Sequence, residues 1–254
     1  VRCWPPAVDA ELFQTDKKTL AMRARLSRQQ PERPLLLTVS RLAPEKNVSF
    51  LRPILDRLPK ATLAIVGDGP HRPELERQFE GCDVHFVGYL KGNELAAAYA
   101  SADAFVYASE TETMGNVVLE AMACGCPVIA PRAGGIPNLI AHGRTGLLYS
   151  PGAVDEAVGH CQAVLDDADF SQRLSRAARE TVADWTWQRS IDRVREHYGE
   201  AISVHWNRRQ RATWGQRSAG AVNRALVTAF RAQSALSGSI RRGNKNPTVP
   251  VPAS

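Results

Sequence analysis

Six short apolar runs punctuate this chain: Leu35–Ser40, Ala61–Val66, Val84–Val87, Ala104–Ala108, Pro127–Ala130 and Gly146–Tyr149. Each is too short for a globular helix, and none shows the strict polar alternation of a strand with one wet face. Strands that read as continuous apolar runs are buried on both faces, the habit of parallel sheets. Between them the apolar residues recur at helical spacing, over Asn47–Leu58, Pro70–Glu80, Asn93–Ala102 and Gly115–Ala123, with a short turn at Ile136–Ala141. Asn47 is the expected cap of the first of these. Lys17–Arg28 is a short charged helix ahead of the series, and Ala153–Leu165, Phe170–Ala183 and Trp187–Val204 are helices after it. Strands alternating with helices, joined by right-handed crossovers, predict an α/β, Rossmann-like, doubly wound parallel sheet of about six strands.

The domain reading follows from the same pattern. Residues 1–32 form an entry segment, residues 33–204 the ligand-binding Rossmann-like domain, and residues 205–254 a basic tail. The net charge of +6 belongs to that tail, which holds nine Lys and Arg and no Asp or Glu. Residues 1–204 carry 23 basic and 26 acidic side chains, a net of −3. The middle of the tail fits an amphipathic helix, with Val222, Leu226, Ala229 and Phe230 on one face and Arg217, Arg224 and Arg231 on another. A solvated extension and an interfacial helix on an anionic membrane surface are both compatible with this composition. Nucleic-acid binding is disfavoured, because no aromatic stacking series and no helix-turn-helix or zinc pattern accompanies the charge. No run of eighteen apolar residues is present, so a spanning helix is not expected. The chain begins at Val1 without an initiator Met or a signal-peptide pattern, as a fragment or a processed product would.

Five cysteines, Cys3, Cys82, Cys124, Cys126 and Cys161, are too few and too uneven for a disulfide scaffold. Cys124-Gly-Cys126 is too tight for a usual zinc pair, and no second pair accompanies it. Asp166-Asp-Ala-Asp169 falls between two helices and reads as a solvated turn. No metal site is expected.

In an open parallel sheet, ligands bind outside the carboxyl ends of the strands. Arg41-Leu-Ala-Pro-Glu-Lys46 follows the first strand, Gly67-Asp-Gly-Pro70 the second, and Gly88-Tyr-Leu90 the third. Glu110-Thr-Glu-Thr-Met-Gly115 follows the fourth, and Pro131-Arg-Ala-Gly-Gly135 the fifth. Glycines, the cations Arg41 and Lys46, and several carboxylates therefore gather at one edge, as a crevice for a phosphorylated ligand requires. Arg41 and Lys46 together can hold a diphosphate, the Arg as a fork and the Lys as a point charge. They would equally make a surface pair, with Glu45 neutralising Lys46. Glu112 lies in a loop and Glu120 in the second turn of the next helix, with seven residues between them. Gly115 allows close backbone approach, and the helix N-terminus favours an anion. Two solvated glutamates remain the plain alternative. Gly67-Asp-Gly-Pro70 lacks the spacing of a dinucleotide fingerprint, which disfavours an oxidoreductase.

The segment Ser109-Glu-Thr-Glu-Thr-Met-Gly-Asn-Val-Val-Leu-Glu-Ala-Met-Ala-Cys-Gly125 resembles the signature of the retaining GT-B glycosyltransferases of family 4. Val39-Ser-Arg-Leu-Ala-Pro-Glu-Lys46, Val66-Gly-Asp-Gly-Pro70 and Ala133-Gly-Gly-Ile-Pro137 resemble three more of that family's loops. The likeness covers roughly residues 1–200 and is similar in wording to the sulfoquinovosyltransferases of plants, algae and cyanobacteria. It implies the C-terminal, donor-binding half of a GT-B fold, with residues 1–32 as the interdomain linker. It implies that Arg41 and Lys46 bind the donor diphosphate and that Glu112 contacts the donor sugar, helped by backbone N–H groups near Met114, Gly115 and Asn116. Glu120 would hold the ribose hydroxyls, and Gly69, Tyr89 and Leu90 would border the nucleotide. No metal or other cofactor is implied.

The implied reaction moves a sugar from a UDP-sugar to a lipid, sulfoquinovose from UDP-sulfoquinovose to diacylglycerol. A glucosyl- or mannosyltransferase to another lipid or glycan, and a non-catalytic nucleotide-sugar-binding module, are the alternatives. The lipid acceptor would bind through a missing N-terminal domain, so this piece alone would bind donor weakly and turn over little. The implied location is a chloroplast membrane surface or a cyanobacterial membrane.

Overall fold

In the computed structural model, residues 6–206 and Thr228 are described. The chain divides into two units, Val1–Val194 and Arg195–Ser254. The first contains a six-stranded sheet: β1 (Leu35–Val39), β2 (Thr62–Val66), β3 (Val84–Gly88), β4 (Ala104–Val106), β5 (Val128–Pro131) and β6 (Leu147–Tyr149). All neighbours pair parallel, in the order β3-β2-β1-β4-β5-β6. The predicted Rossmann-like α/β class is what forms. β1, β2, β4, β5 and β6 are buried along their whole length, which is why they read as unbroken apolar runs. β3, at the edge, is half-buried throughout.

Successive side chains along a strand point to opposite faces, and here each face has its own core. Leu35, Leu37, Val39, Phe105, Tyr107, Val128 and Ala130 pack with α1 (Leu20–Leu26), α4 (Gly92–Ser101) and α5 (Asn116–Ala123). Leu36, Leu63, Ile65, Val106, Ile129 and Tyr149 pack on the other side. There they meet α2 (Leu51–Asp56), α3 (Arg72–Gln78) and α6 (Val154–Asp166), with Leu174 of α7 (Ala168–Val182). Ala178 and Val182 of α7 belong to the first core. The leading segment is tied in by Val8, whose N–H donates to Trp185 O at 2.8 Å. Residues 187–194 are helical, and so, in the second unit, are residues 195–206. The amphipathic helix predicted within the tail lies outside the described residues.

Three helices differ at their ends from expectation, each for a local reason. Thr19 accepts from Met22 N at 3.1 Å, so the first helix starts only at Leu20. It stops by Ser27, because Arg28 and Gln29 are left-handed. Asn47 does not cap with its side chain; it is itself left-handed (φ 49°) and closes a 3-10 turn, Pro44–Lys46. A second 3-10 turn, Val48–Phe50, precedes α2. The helix expected from Phe170 begins at Ala168, because the Asp167 carboxylate accepts from Phe170 N at 2.8 Å. Part of the acidic run thus serves as a helix cap.

Candidate functional site

The chain leaves β1 for β2 on one side and returns from β3 to β4 on the other. A crevice therefore opens at the carboxyl ends of β1 and β4, where the strand order reverses. Lys46 enters it from the turn after β1, and Glu112 from the loop after β4. The two meet: Lys46 Nζ lies 2.9 Å from Glu112 Oε2, and both side chains are mostly buried. Tyr107 OH donates to the same Oε2 at 2.7 Å. Glu112 Oε1 accepts from the N–H groups of Thr113, Met114 and Gly115 at 3.2, 3.4 and 3.3 Å. Both carboxylate oxygens are thus held. Burial pushes this carboxyl upward, but the bonds from Tyr107, Lys46 and Gly115 outweigh it and hold its pKa down to about 2. Glu112 is an anion at any physiological pH.

The loops that position this pair touch backbone to backbone. A Cβ on Gly135 would stand 2.2 Å from Thr113 O, and one on Gly134 2.3 Å from Glu112 O. Gly135 N instead donates to Glu112 O at 2.7 Å. On the β1 side, a Cβ on Gly69 would stand 2.3 Å from Leu42 O, while Leu42 N donates to Asp68 O and His71 N to Leu42 O, each at 3.0 Å. The glycine-rich loops after β2 and β5 therefore clamp the loops that carry Lys46 and Glu112. Tyr149 adds support from below. Its hydroxyl donates to Tyr107 O at 2.7 Å, and its ring stacks on Phe50 at 5.3 Å.

Glu120 has different surroundings. It lies on α5, where the Tyr99 hydroxyl donates to its Oε2 at 2.9 Å. Burial dominates and the Tyr99 bond only partly offsets it, so this carboxyl is pushed up to about 7. The other sequence-derived residues are placed as follows. Arg41 is exposed and has no ion-pair partner among the described residues. Tyr89 is 76% exposed, whereas Leu90 is buried and offers only its backbone to a ligand. Met114 is part-exposed, and Asn116 is the exposed first residue of α5. The N–H groups of Met114 and Gly115, expected to face a ligand, are engaged by Glu112 itself.

Sequence reasoning missed Tyr107 and Tyr99. Both are buried phenols, and a buried Tyr hydroxyl usually finds a partner. That rule was the one signal that marked them.

Two other hollows do not compete. One of about 570 Å³ lies near the amino ends of the strands, beside Arg23 and Asp103. Two of its ionic groups are spent on structure: Arg23 bonds Asp103 at 2.8 Å, and Asp103 accepts from Leu35 N. The other, of about 470 Å³, lies between the leading segment and α7. Neither touches Lys46, Glu112 or Glu120. Among the described residues, no cluster of His, Cys, Asp and Glu could hold a metal ion.

Comparison with known proteins adds the family. The model for "Glycosyl transferases group 1" matches residues 33–167, more than half of the chain. The sulfoquinovosyl transferase SQD2 of Arabidopsis thaliana is 40% identical over 213 residues, which are 83% of this chain and 42% of that protein. A GDP-mannose-dependent alpha-mannosyltransferase of Corynebacterium glutamicum is 36% identical over 79% of this chain and 48% of its own length. Among solved structures, Anabaena HepE in complex with UDP and glucose superposes with a TM-score of 0.65 at 25% identity, over 78% of this chain and 55% of that one. The chain thus spans about half the length of the curated relatives it matches. A six-stranded sheet with its paired cation and carboxylate at the switch point, and a match across the whole of that sheet, together place this chain in the glycosyl transferases group 1 family.

Proposed function

We propose that this chain is the donor-binding part of a retaining glycosyltransferase that moves a sugar from a UDP-sugar to a lipid acceptor. The observation that carries the reading is the Lys46–Glu112 pair at the β1/β4 switch point. An ammonium has three donors, and Glu112 uses one. The other two are free to reach diphosphate oxygens without releasing the carboxylate. Arg41, exposed five residues earlier, supplies a second cation. Negative charge grows on the leaving diphosphate in the transition state, where preorganised cations lower the barrier. Glu112, fixed and ionised, borders the donor sugar and keeps Lys46 oriented toward the diphosphate. Glu120 accepts from the vicinal hydroxyls of the ribose. In this reading Arg41 and Lys46 neutralise the diphosphate, and no metal is called on.

Likeness to the Arabidopsis sulfoquinovosyl transferase supports sulfoquinovose as the sugar moved, and the UDP complex of Anabaena HepE supports UDP as its carrier; diacylglycerol is the acceptor this reading proposes. The Corynebacterium relative supports a second reading, with a GDP-mannose donor. Thermal unfolding with UDP, GDP, ADP and UDP-sulfoquinovose separates them. A ligand at about 100 times its Kd stabilises the fold by roughly 2.7 kcal/mol. The expected result is a rise in Tm with UDP, a larger one with UDP-sulfoquinovose, and none with GDP. A rise with GDP alone selects the mannosyl reading, and no rise with any nucleotide overturns both.

A further inference from the structure

Glu120 has a single hydrogen-bond partner among the described residues, the Tyr99 hydroxyl on Oε2. It has no cation beside it among them either. A carboxylate offers about four lone-pair sites. One is filled, and Oε1 is not shut away from the surface, so its lone pairs are open to a ligand. Glu112 is the contrast, with both oxygens satisfied from within the fold.

Tyr99 itself is rigidly held. It is fully buried on α4, with its ring edge-on to Phe13 at 6.1 Å and to Phe105 at 5.5 Å. Those contacts leave the ring little freedom, so the hydroxyl position is set by the core. The core in turn is set by β4 and the leading segment, which supply Phe105 and Phe13.

We propose that Tyr99 is the positioning residue of the nucleoside-binding carboxylate. Its hydroxyl anchors Glu120 Oε2, and the remaining acceptor capacity of that carboxylate is aimed at a vicinal diol of the donor. The inference rests on the donor-binding reading above and adds to it a residue that touches no ligand.

The test is calorimetric titration of the full chain with UDP and with 2′,3′-dideoxy-UDP, which lacks both ribose hydroxyls. Wild type is expected to bind UDP more tightly than the dideoxy nucleotide. Tyr99→Phe keeps the ring and its packing but removes the anchor. It should weaken UDP about tenfold, the size of one charge-assisted hydrogen bond, and leave dideoxy-UDP unchanged. Combined with Glu120→Gln it should cost no more than Glu120→Gln alone. Should Tyr99→Phe fail to fold, 4-fluorophenylalanine at position 99 serves instead. It fills the space of the hydroxyl without donating a hydrogen bond and should show the same selective loss. Equal weakening of both nucleotides, or none, overturns the role of Tyr99. A wild-type chain that binds neither nucleotide overturns the donor-binding reading, and the inference with it.

Discussion

Glu112 and Glu120 are the same side chain eight positions apart, and their surroundings drive them in opposite directions. Glu112 collects a lysine, a phenol and three backbone N–H groups, and its pKa falls from 4.5 to about 2. Glu120 is buried with one phenol, and its pKa climbs from 4.5 to about 7. Stability must therefore depend on pH with two signs. The contribution of Glu112 is present above pH 4.5 and is lost as pH falls through about 2. That of Glu120 is present below pH 4.5 and is lost as pH rises through about 7, because only the neutral form is buried cheaply. The latter amounts to roughly 3 kcal/mol for a shift of this size. Urea unfolding across pH should show Glu120→Gln flattening the limb between pH 4.5 and 7 and leaving the acid limb alone. Tyr107→Phe should do the reverse, moving the acid limb to higher pH as Glu112 loses a donor. A neutral limb unchanged in Glu120→Gln would mean that the carboxylate is better solvated than its burial implies. Both glutamates were legible in the sequence, from their spacing around Gly115 and from family likeness. Their phenolic partners were not. Tyr99 reaches Glu120 across 21 residues, a pairing that exists only once α4 and α5 pack together.

Elements were more legible than contacts. Double-sided burial writes a strand into the sequence as an unbroken apolar run, and all six runs became strands. Helix ends were harder, because a cap depends on one local bond that competes with others. Asn47 turned left-handed instead of capping, whereas Asp167 caps α7 from a run read as a solvated turn. Loop glycines divide by what surrounds them. Gly135 has an ordinary φ of −81°, so conformational freedom is not its purpose. Its hydrogen is needed because a methyl would meet Thr113 O at 2.2 Å. Gly135→Ala must push the Glu112 loop away, at a cost on the order of 2 kcal/mol. UDP affinity should drop with it, as titration of the variant would show. Gly159, in α6, has nothing within 4 Å of its would-be Cβ. Gly159→Ala should therefore stabilise the fold by about 1 kcal/mol and leave UDP binding untouched. If both substitutions changed stability alike, the clamp assigned to Gly135 would be wrong.

At the scale of the molecule, charge is segregated along the chain. Residues 205–254 carry nine cationic side chains and no anionic one, while the rest is slightly acidic. No helix among the described residues is long and apolar enough to cross a membrane. The lipid acceptor proposed for this chain would be met at a bilayer surface. Each Lys or Arg near an anionic leaflet contributes about 1 kcal/mol, and the attraction decays within a Debye length. Nine such groups without an opposing acid are enough to hold a chain on an anionic surface at low ionic strength. The full chain should therefore sediment with vesicles containing phosphatidylglycerol and stay in solution with vesicles of phosphatidylcholine alone. Raising the salt should release it, because the attraction is screened. A chain ending at residue 206 should not sediment with either, yet should keep its UDP response, since Lys46, Glu112 and Glu120 all lie in the first unit. Sedimentation that persists in high salt would point to apolar insertion rather than charge. Sedimentation of the shortened chain would move the membrane contact onto the folded body, away from the tail.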